Sequence, residues 1–181
     1  VEEFNFYLFY DLNQRIYRSE AATWNPPFSG DPIVLDVNLR NTKVIGETSW
    51  KLGKLNDPPE FRVDEGPSPA FTQCTGYDDV VLNLCTLIKK LKKDGKVPLT
   101  EIVVLSPYRH DNSKFPIFDM ISSNGIKPTV NLFEKDPNLL RISTIHSFKG
   151  LEADVVILAG IDGISRSCAP NNLYVGSSRA R

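Results

Sequence analysis

Apolar residues occur along the chain in short continuous runs, separated by amphipathic or irregular stretches. Runs of this kind, rich in Val, Ile, Leu and aromatic residues, are typical of buried strands. They predict strands over residues 4–10, 33–37, 101–105, 127–132, 140–143 and 155–159, with a further strand at 70–74. Proline and glycine cluster in 19–32 and 56–69, which predicts irregular structure there.

Between these runs, apolar residues recur with helical spacing. The clearest case is 78–93, where Val81, Leu84, Ile88 and Leu91 share one face and Gly95 ends the pattern. Similar spacing predicts helices over 42–52, 115–123 and 171–181. Because strands alternate with helices, the fold class predicted is α/β, with a mostly parallel sheet and helices on both faces.

Length and charge narrow the class of protein. A chain of 181 residues is long enough for one domain or slightly more. Its 21 Lys and Arg residues nearly balance 22 Asp and Glu residues, so the net charge is -1. Overall charge therefore gives no argument for a nucleic-acid partner, which would have to bind through a local cluster.

The cysteines Cys74, Cys85 and Cys168 are odd in number and far apart, which favours neither a disulfide framework nor a zinc site. No metal-binding residues are expected. The longest apolar run is too short to cross a bilayer, and Glu2 and Glu3 stand where a signal peptide would carry positive charge. These features predict a cytoplasmic protein without a membrane partner.

Polar residues directly after strands are the candidates for chemistry, because parallel sheets bind ligands at the carboxyl ends of their strands. Four segments qualify: 11–17, 38–42, 106–109 and 143–152. The last combines Thr144, His146, Lys149 and Gly150, a composition suited to phosphate groups, and Glu152 could accept hydrogen bonds from a sugar.

Residues 144–156, which read TIHSFKGLEADVV, resemble motif V of the superfamily 1 DNA helicases of the UvrD/Rep type. Residues 173–181, LYVGSSRAR, look like motif VI of the same family. Residues 11–17 are similar to motif III, with the pattern D-x-x-Q-x-I-Y, and residues 35–42 are similar to motif IV. The four motifs occur in the family's order.

The resemblance implies a RecA-like fold and a role for each matching residue. Gln14 would sense the γ-phosphate of ATP, and Arg40 and Arg179 would act as arginine fingers. Gly150 and Glu152 would lie against the triphosphate and ribose. The residues implied to contact single-stranded nucleic acid are Tyr17, Ser106, Tyr108, Arg109, Thr144 and His146.

The chain also departs from the family pattern. It contains no G-x-x-x-x-G-K-[ST] sequence, and its one Asp-Glu pair, Asp64-Glu65, follows no predicted buried strand. Leu39 stands where many relatives have a tyrosine that stacks on adenine. The resemblance therefore implies that residues 1–18 end a first RecA-like domain and residues 19–181 form a second, which stops within or just after motif VI.

The implied parent is an ATP-dependent DNA helicase. Its ATP and Mg²⁺ would be bound mainly by the N-terminal RecA-like domain, and its substrate would be single-stranded or partly duplex DNA. With Walker A and Walker B missing, the isolated chain is expected to be inactive.

Two other interpretations stay open: a non-catalytic helicase-like scaffold or nucleic-acid-binding module, and an unrelated doubly wound nucleotide-binding protein. The second would need a Gly-rich phosphate loop, which the sequence lacks. The presence together of Gln14, Arg40, Glu152 and Arg179 favours the enzyme over a scaffold, which has no need for all four.

Overall fold

The computed structural model describes residues 11–14, 33–61, 63, 65–163 and 168–181. The strand predicted at 4–10, the loop at 19–32, Tyr17 and Asp64 lie outside these residues. The strands and helices described are, in chain order, β1 (Val37–Asn38), α1 (Lys43–Leu52), β2 (Glu60–Phe61), α2 (Tyr77–Lys93), β3 (Ile102–Ser106), α3 (Ile117–Ser123), β4 (Lys127–Thr129), β5 (Leu139–Thr144), β6 (Val155–Leu158) and α4 (Pro170–Ser177).

The main sheet has four strands in the order β4-β5-β3-β6, and every pairing in it is parallel. A second sheet pairs β1 with β2, also in parallel. Crossing from one parallel strand to the next requires a connection over a face of the sheet. The arrangement confirms the α/β class and is consistent with a RecA-like fold.

The central strand β3 shows why both faces of the sheet are covered. All of its side chains are buried, and successive residues point to opposite faces. Ile102 and Val104 belong to a core that includes apolar residues of α2 and α3. Val103 and Leu105 belong to a second core, which includes Phe148 and Val175. The expectation of helices on both faces is therefore confirmed.

The helix over 78–93 is confirmed and is one residue longer at its N-terminus, since α2 begins at Tyr77 and ends at Lys93. Its buried face carries Val81, Leu84 and Ile88, as the spacing predicts. The helix predicted over 42–52 is found as α1, and α3 begins at Ile117, after Pro116.

Five predicted segments differ from the structure. The strand expected at 33–37 is reduced to β1, and Ile33 to Leu35 are exposed because no described element packs against them. Residues 70–74 form no strand, whereas β2 lies in the stretch predicted to be irregular. The strand predicted over 127–132 ends at Thr129, followed by a turn.

The fifth difference affects the candidate site. The predicted helix over 171–181 is wrong at its C-terminal end, because α4 stops at Ser177. The chain then turns, and Ala180 forms a parallel bridge with Ala153. Arg179 consequently lies in a turn rather than on the face of a helix.

Candidate functional site

Arg179 is the most buried charged residue at the candidate site, with 3% of its surface exposed. Its Nε donates a hydrogen bond to the carbonyl oxygen of Val175 at 3.1 Å, inside α4. Its Nη2 donates to Oε1 of Gln14 at 3.0 Å. The guanidinium is therefore held in one direction, with its outer end turned toward the segment 11–14.

Gln14 is fixed by two further contacts. Its side-chain Nε2 donates to Asp11 Oδ2 at 2.8 Å, so the amide oxygen is left to accept from Arg179. Lys149 Nζ donates to the backbone oxygen of Gln14 at 2.8 Å. Segment 11–14 thus contacts both the loop after β5 and the turn after α4.

Arg40 and Glu152 form the second part of the cluster. Arg40 Nε lies 2.7 Å from Glu152 Oε1, and both side chains are partly exposed to solvent. Glu152 directly precedes Ala153, which pairs with Ala180 beside Arg179. The structure therefore brings Gln14, Arg40, Glu152 and Arg179 together, although they are spread over most of the chain.

The position of this cluster differs from the expectation that ligand-binding residues follow strands. Ala153 and Glu152 precede β6, at the point where the loop from β5 returns to the sheet. Arg179 reaches that point from the turn after α4. Glu152 and Arg179 therefore lie beside the start of β6, on the face covered by α4, and not at the carboxyl end of a strand of the main sheet, whereas Arg40 follows β1 as expected.

The electrostatics of the cluster follow from burial and from the closeness of like charges. Burial lowers the pKa of Arg179, and the nearby positive charge of Arg40 lowers that pKa further, against the opposing effects of Glu152, Tyr174 and Asp11. Burial also raises the pKa of Tyr174 to about 12, with a smaller contribution from Asp11. Two guanidinium groups held near each other in a partly dehydrated place form a region suited to an anion.

Gly150 lies in the same loop, exposed to solvent and next to Lys149. Its φ angle is 92°, a left-handed conformation that glycine adopts without strain. A Cβ atom at this position would meet no other group within 4 Å. The backbone conformation, rather than lack of space, therefore accounts for glycine here.

A second group of predicted residues lies at the carboxyl ends of β3 and β5. Ser106 and Thr144 are partners in the parallel register of these strands, and Ile145 N–H donates to the oxygen of Ser106 at 3.2 Å. Thr144 Oγ1 accepts from the backbone N–H of Ser147 at 3.0 Å. We name Ser106, Tyr108, Arg109, Thr144 and His146 the strand-end group.

Members of the strand-end group differ in exposure. Arg109 is exposed and pairs with Asp111 at 3.1 Å, while Tyr108 is half-buried and donates a hydrogen bond to Asp162. This hydrogen bond raises the pKa of Tyr108. His146 is half-buried, like Thr144.

The structure corrects the expected contact between Ser106 and nucleic acid. Its side chain is fully buried, and its Oγ accepts the backbone N–H of Tyr108 at 3.1 Å. A hydroxyl with this burial cannot contact nucleic acid directly. Ser106 instead fixes the backbone conformation around Tyr108. Tyr17, the remaining predicted contact residue, lies outside the described residues.

The structure also shows contacts of residues to which the sequence analysis assigned no individual role. Lys149 and Asp11 stand inside the quoted motifs, so their contacts with Gln14 could have been suspected from position alone. Tyr174 belongs to the last motif and packs edge-on against Trp50, with ring centroids 5.6 Å apart. Asn41 lies in the candidate segment 38–42, although no role was predicted for it; it is 2% exposed and contacts the turn at Arg179.

Two classes of site find no support within the described parts of the chain. No cluster of three or more His, Cys, Asp or Glu side chains among these residues is arranged to hold a metal ion. No helix described here is both long enough and apolar enough to span a bilayer.

Comparison with known proteins bears on the same part of the chain. No curated protein matches the sequence. Residues 139–181, which contain β5, the loop with Lys149 and Glu152, β6, α4 and Arg179, match the family model of the UvrD-like helicase C-terminal domain. The match confirms the resemblance that the motifs predict: over these residues the chain is similar to the C-terminal domain of the UvrD-like helicases.

Proposed function

We propose that this chain is the C-terminal motor domain of an ATP-dependent DNA helicase or translocase. In this proposal it supplies arginine fingers and contacts to single-stranded DNA, and it is inactive alone. The observation that carries the proposal is the buried Arg179, held by Gln14 and close enough to Arg40 for their charges to interact, inside a segment similar to a helicase domain.

The chemistry of the cluster fits a triphosphate. Arg40, Arg179 and Lys149 bring three cationic side chains to one place, and a buried guanidinium close to another is stabilised by an added anion. The planar fork of arginine suits phosphate oxygens. In this proposal, the Mg²⁺ that accompanies ATP would be bound mainly by residues of the N-terminal domain.

When bound, ATP supplies the phosphoryl group that is transferred to water, and Mg²⁺ neutralises its oxygens. Arg40 and Arg179 would stabilise the negative charge that develops during this transfer. Glu152 holds the Arg40 guanidinium before binding and could then accept hydrogen bonds from ribose hydroxyls. Gln14, in contact with Arg179 and Lys149, would transmit the presence of the γ-phosphate to the loop after β5.

That loop also begins at the strand-end group, which suggests how nucleotide and nucleic acid affect each other. Thr144 and His146 stand at its start, and Lys149 and Glu152 stand near its end. We assign Thr144, His146, Tyr108 and Arg109 to contacts with the DNA strand, with Ser106 as an internal support. Such contacts with backbone phosphates make binding sequence-tolerant and dependent on salt.

Hydrolysis by the product of the complete open reading frame tests the proposal. We expect ATP hydrolysis that single-stranded DNA stimulates, with kcat about 100-fold lower in Arg40→Ala and a nearly unchanged KM. Lys51→Ala, which removes an exposed cation from α1, is the matched control and should leave both constants unchanged. Hydrolysis at the wild-type rate by Arg40→Ala would contradict the arginine-finger role.

Binding of a labelled single strand by this chain tests the second part. Its affinity should fall at least about tenfold between 50 and 200 mM salt. Arg109→Ala should reduce the affinity and the salt dependence together. Binding without any hydrolysis by the full product would favour the scaffold over the motor.

A further inference from the structure

We infer that Asn41 is a positioning residue that fixes the two arginines of the cluster relative to each other. Asn41 directly follows Arg40 and is 2% exposed. Its side chain reaches across to the turn that carries Arg179, far away in the sequence. The effect on catalysis rests on the proposed function, whereas the positioning itself can be tested without it.

The contacts of the Asn41 amide account for the turn after α4. Nδ2 donates to the carbonyl oxygens of Ser178 at 3.0 Å and of Ala180 at 2.5 Å. The carbonyl between them, that of Arg179, accepts from Ala153 N–H at 3.1 Å. Three successive carbonyls after the helix are thus satisfied by distant parts of the chain, which holds the turn in one conformation.

The other end of the Asn41 amide fixes the backbone of Arg40. Asn41 Oδ1 accepts from Asn38 Nδ2 at 3.2 Å. Asn38 Oδ1 in turn accepts the backbone N–H groups of Arg40 at 2.9 Å and Asn41 at 3.1 Å. One pair of asparagine side chains therefore holds the loop of Arg40 on one side and the turn of Arg179 on the other.

These contacts close a ring through the cluster. From Asn41 the ring runs to the turn at Arg179, across the bridge to Ala153, back one residue to Glu152, and through its ion pair to Arg40. Arg40 is the chain neighbour of Asn41, which completes the circuit. A closed ring restricts the separation of the two arginines more than either contact alone.

The chemistry of the contacts requires an amide. Two carbonyl oxygens need two N–H donors from one side-chain group, and a primary amide supplies both while its oxygen accepts from Asn38. An aspartate of nearly the same size has no donor when ionised and would repel both carbonyls. A serine can donate to only one of them. Asn41→Asp and Asn41→Ser therefore form a graded pair of variants.

Hydrogen exchange on this chain is the first test. In Asn41→Asp, the amides of Ala153 and Arg181, which bond across the bridge, should exchange at least about tenfold faster than in the wild type. Amides of β3 should keep their protection. Asn83→Ala, which removes an exposed amide that donates to Asp79 on α2, is the control and should change neither set.

If Asn41→Asp does not fold, Asn41→Ser keeps the test decisive, because it should show the same change with a smaller amplitude. Unchanged exchange at Ala153 and Arg181 in a folded Asn41 variant would overturn the inference. Equal acceleration in β3 would also overturn it, since Asn41 would then act only on overall stability.

Steady-state kinetics of the complete gene product is the second test. We expect Asn41→Asp to lower kcat about 10- to 100-fold and to change KM less than about threefold, because misplaced arginines lose contact mainly with the transition state. Asn41→Ser should retain more activity than Asn41→Asp. A wild-type kcat in Asn41→Asp would overturn the inference that Asn41 affects catalysis.

The two tests separate the inference from the proposed function. If the wild-type product hydrolyses no ATP, the proposed function fails, while the exchange measurements still decide whether Asn41 fixes the turn. If the wild type is active and only the Asn41 variants behave unexpectedly, the inference alone fails.

Discussion

The two faces of the main sheet are closed by different means. One face is covered by α2 and α3, whose buried residues are almost all aliphatic or aromatic. The other is covered by the loop 145–153 and by α4, and at its border lie the buried polar residues Asn41 and Arg179. Packing on the first face is stabilised by burial of apolar surface. Packing on the second face is stabilised also by hydrogen bonds between segments that are distant in the sequence.

This difference separates stability from function in the molecule. Burial of apolar surface tolerates small shifts at modest cost, since it has no preferred direction. A buried arginine with fixed acceptors has a defined orientation, and its contacts lose their strength when the geometry changes. We therefore expect substitutions on the first face to alter unfolding and those at the border of the second to alter the reaction.

The largest expected effect is on stability and comes from Phe115→Ala. Phe115 is fully buried and stacks on Tyr77 with ring centroids 4.5 Å apart. Truncation should lower the free energy of unfolding by about 3–5 kcal/mol, measured by urea denaturation. Phe133→Ala removes the same ring from an exposed site and should change it by less than about 0.5 kcal/mol. Similar losses in the two variants would contradict the role of the first face.

Next in size is the effect of Arg179→Ala on hydrolysis by the complete gene product. Loss of this guanidinium should lower kcat at least about 100-fold, equivalent to about 2.7 kcal/mol, with nucleotide binding nearly unchanged. Arg179→Lys should rescue poorly, because an ammonium group lacks the planar fork.

The matched control is Arg141→Ala, which removes an arginine that is half-buried. Arg141 donates to the carbonyl oxygens of Thr100 and Leu132, neither of which belongs to the cluster. Its loss should reduce stability and leave the kcat of the folded protein unchanged. A comparable fall of kcat in both variants would mean that burial of charge, rather than position, explains the effect of Arg179.

A third effect concerns Tyr174 and alkaline pH. Its pKa is raised from an ordinary value near 10 to about 12, so folding favours the neutral phenol. The sign follows from linkage: this contribution to stability is complete below about pH 10 and is lost as the pH rises through about 12. Between pH 9 and 12 the free energy of unfolding of the wild type should fall more than that of Tyr174→Phe, by at most about 2 kcal/mol because water still reaches part of this side chain. Parallel pH curves for the two proteins would contradict the burial of this hydroxyl.

Sequence patterns predicted the first face well, for a physical reason. The helix α2 repeats its apolar residues over several turns, and β3 is apolar at nearly every position, so each signal is long and local. The short strands β1 and β2 carry no such signal. These two strands pair over only two residues each, so their formation depends on tertiary contacts. The exposure of Ile33 also depends on the tertiary structure.

The candidate site was predictable in its members and less so in its geometry. The motifs identified Gln14, Arg40, Glu152 and Arg179, which the structure brings together, although their roles stay predictions. The end of α4 was mispredicted because the carbonyls of residues 178–180, which directly follow the helix, bond to Asn41 and Ala153, which are distant in sequence. Contacts of this kind leave no local pattern.

The smallest expected effect tests whether the ion pair between Arg40 and Glu152 contributes mainly to stability. Both side chains are partly exposed, and pairs of that kind contribute at most about 1 kcal/mol because water screens them. Glu152→Gln should therefore lower the free energy of unfolding by less than about 1 kcal/mol. Asp154 lies two residues after Glu152 and forms an exposed pair with Arg181. Asp154→Asn breaks that pair, so it is the matched control and should lower the free energy of unfolding by a similar amount.

A loss above about 2 kcal/mol in Glu152→Gln alone would show that Arg40 is needed to hold the fold. A guanidinium committed in that way could not be released to an incoming phosphate, and the arginine-finger role of Arg40 would have to be abandoned.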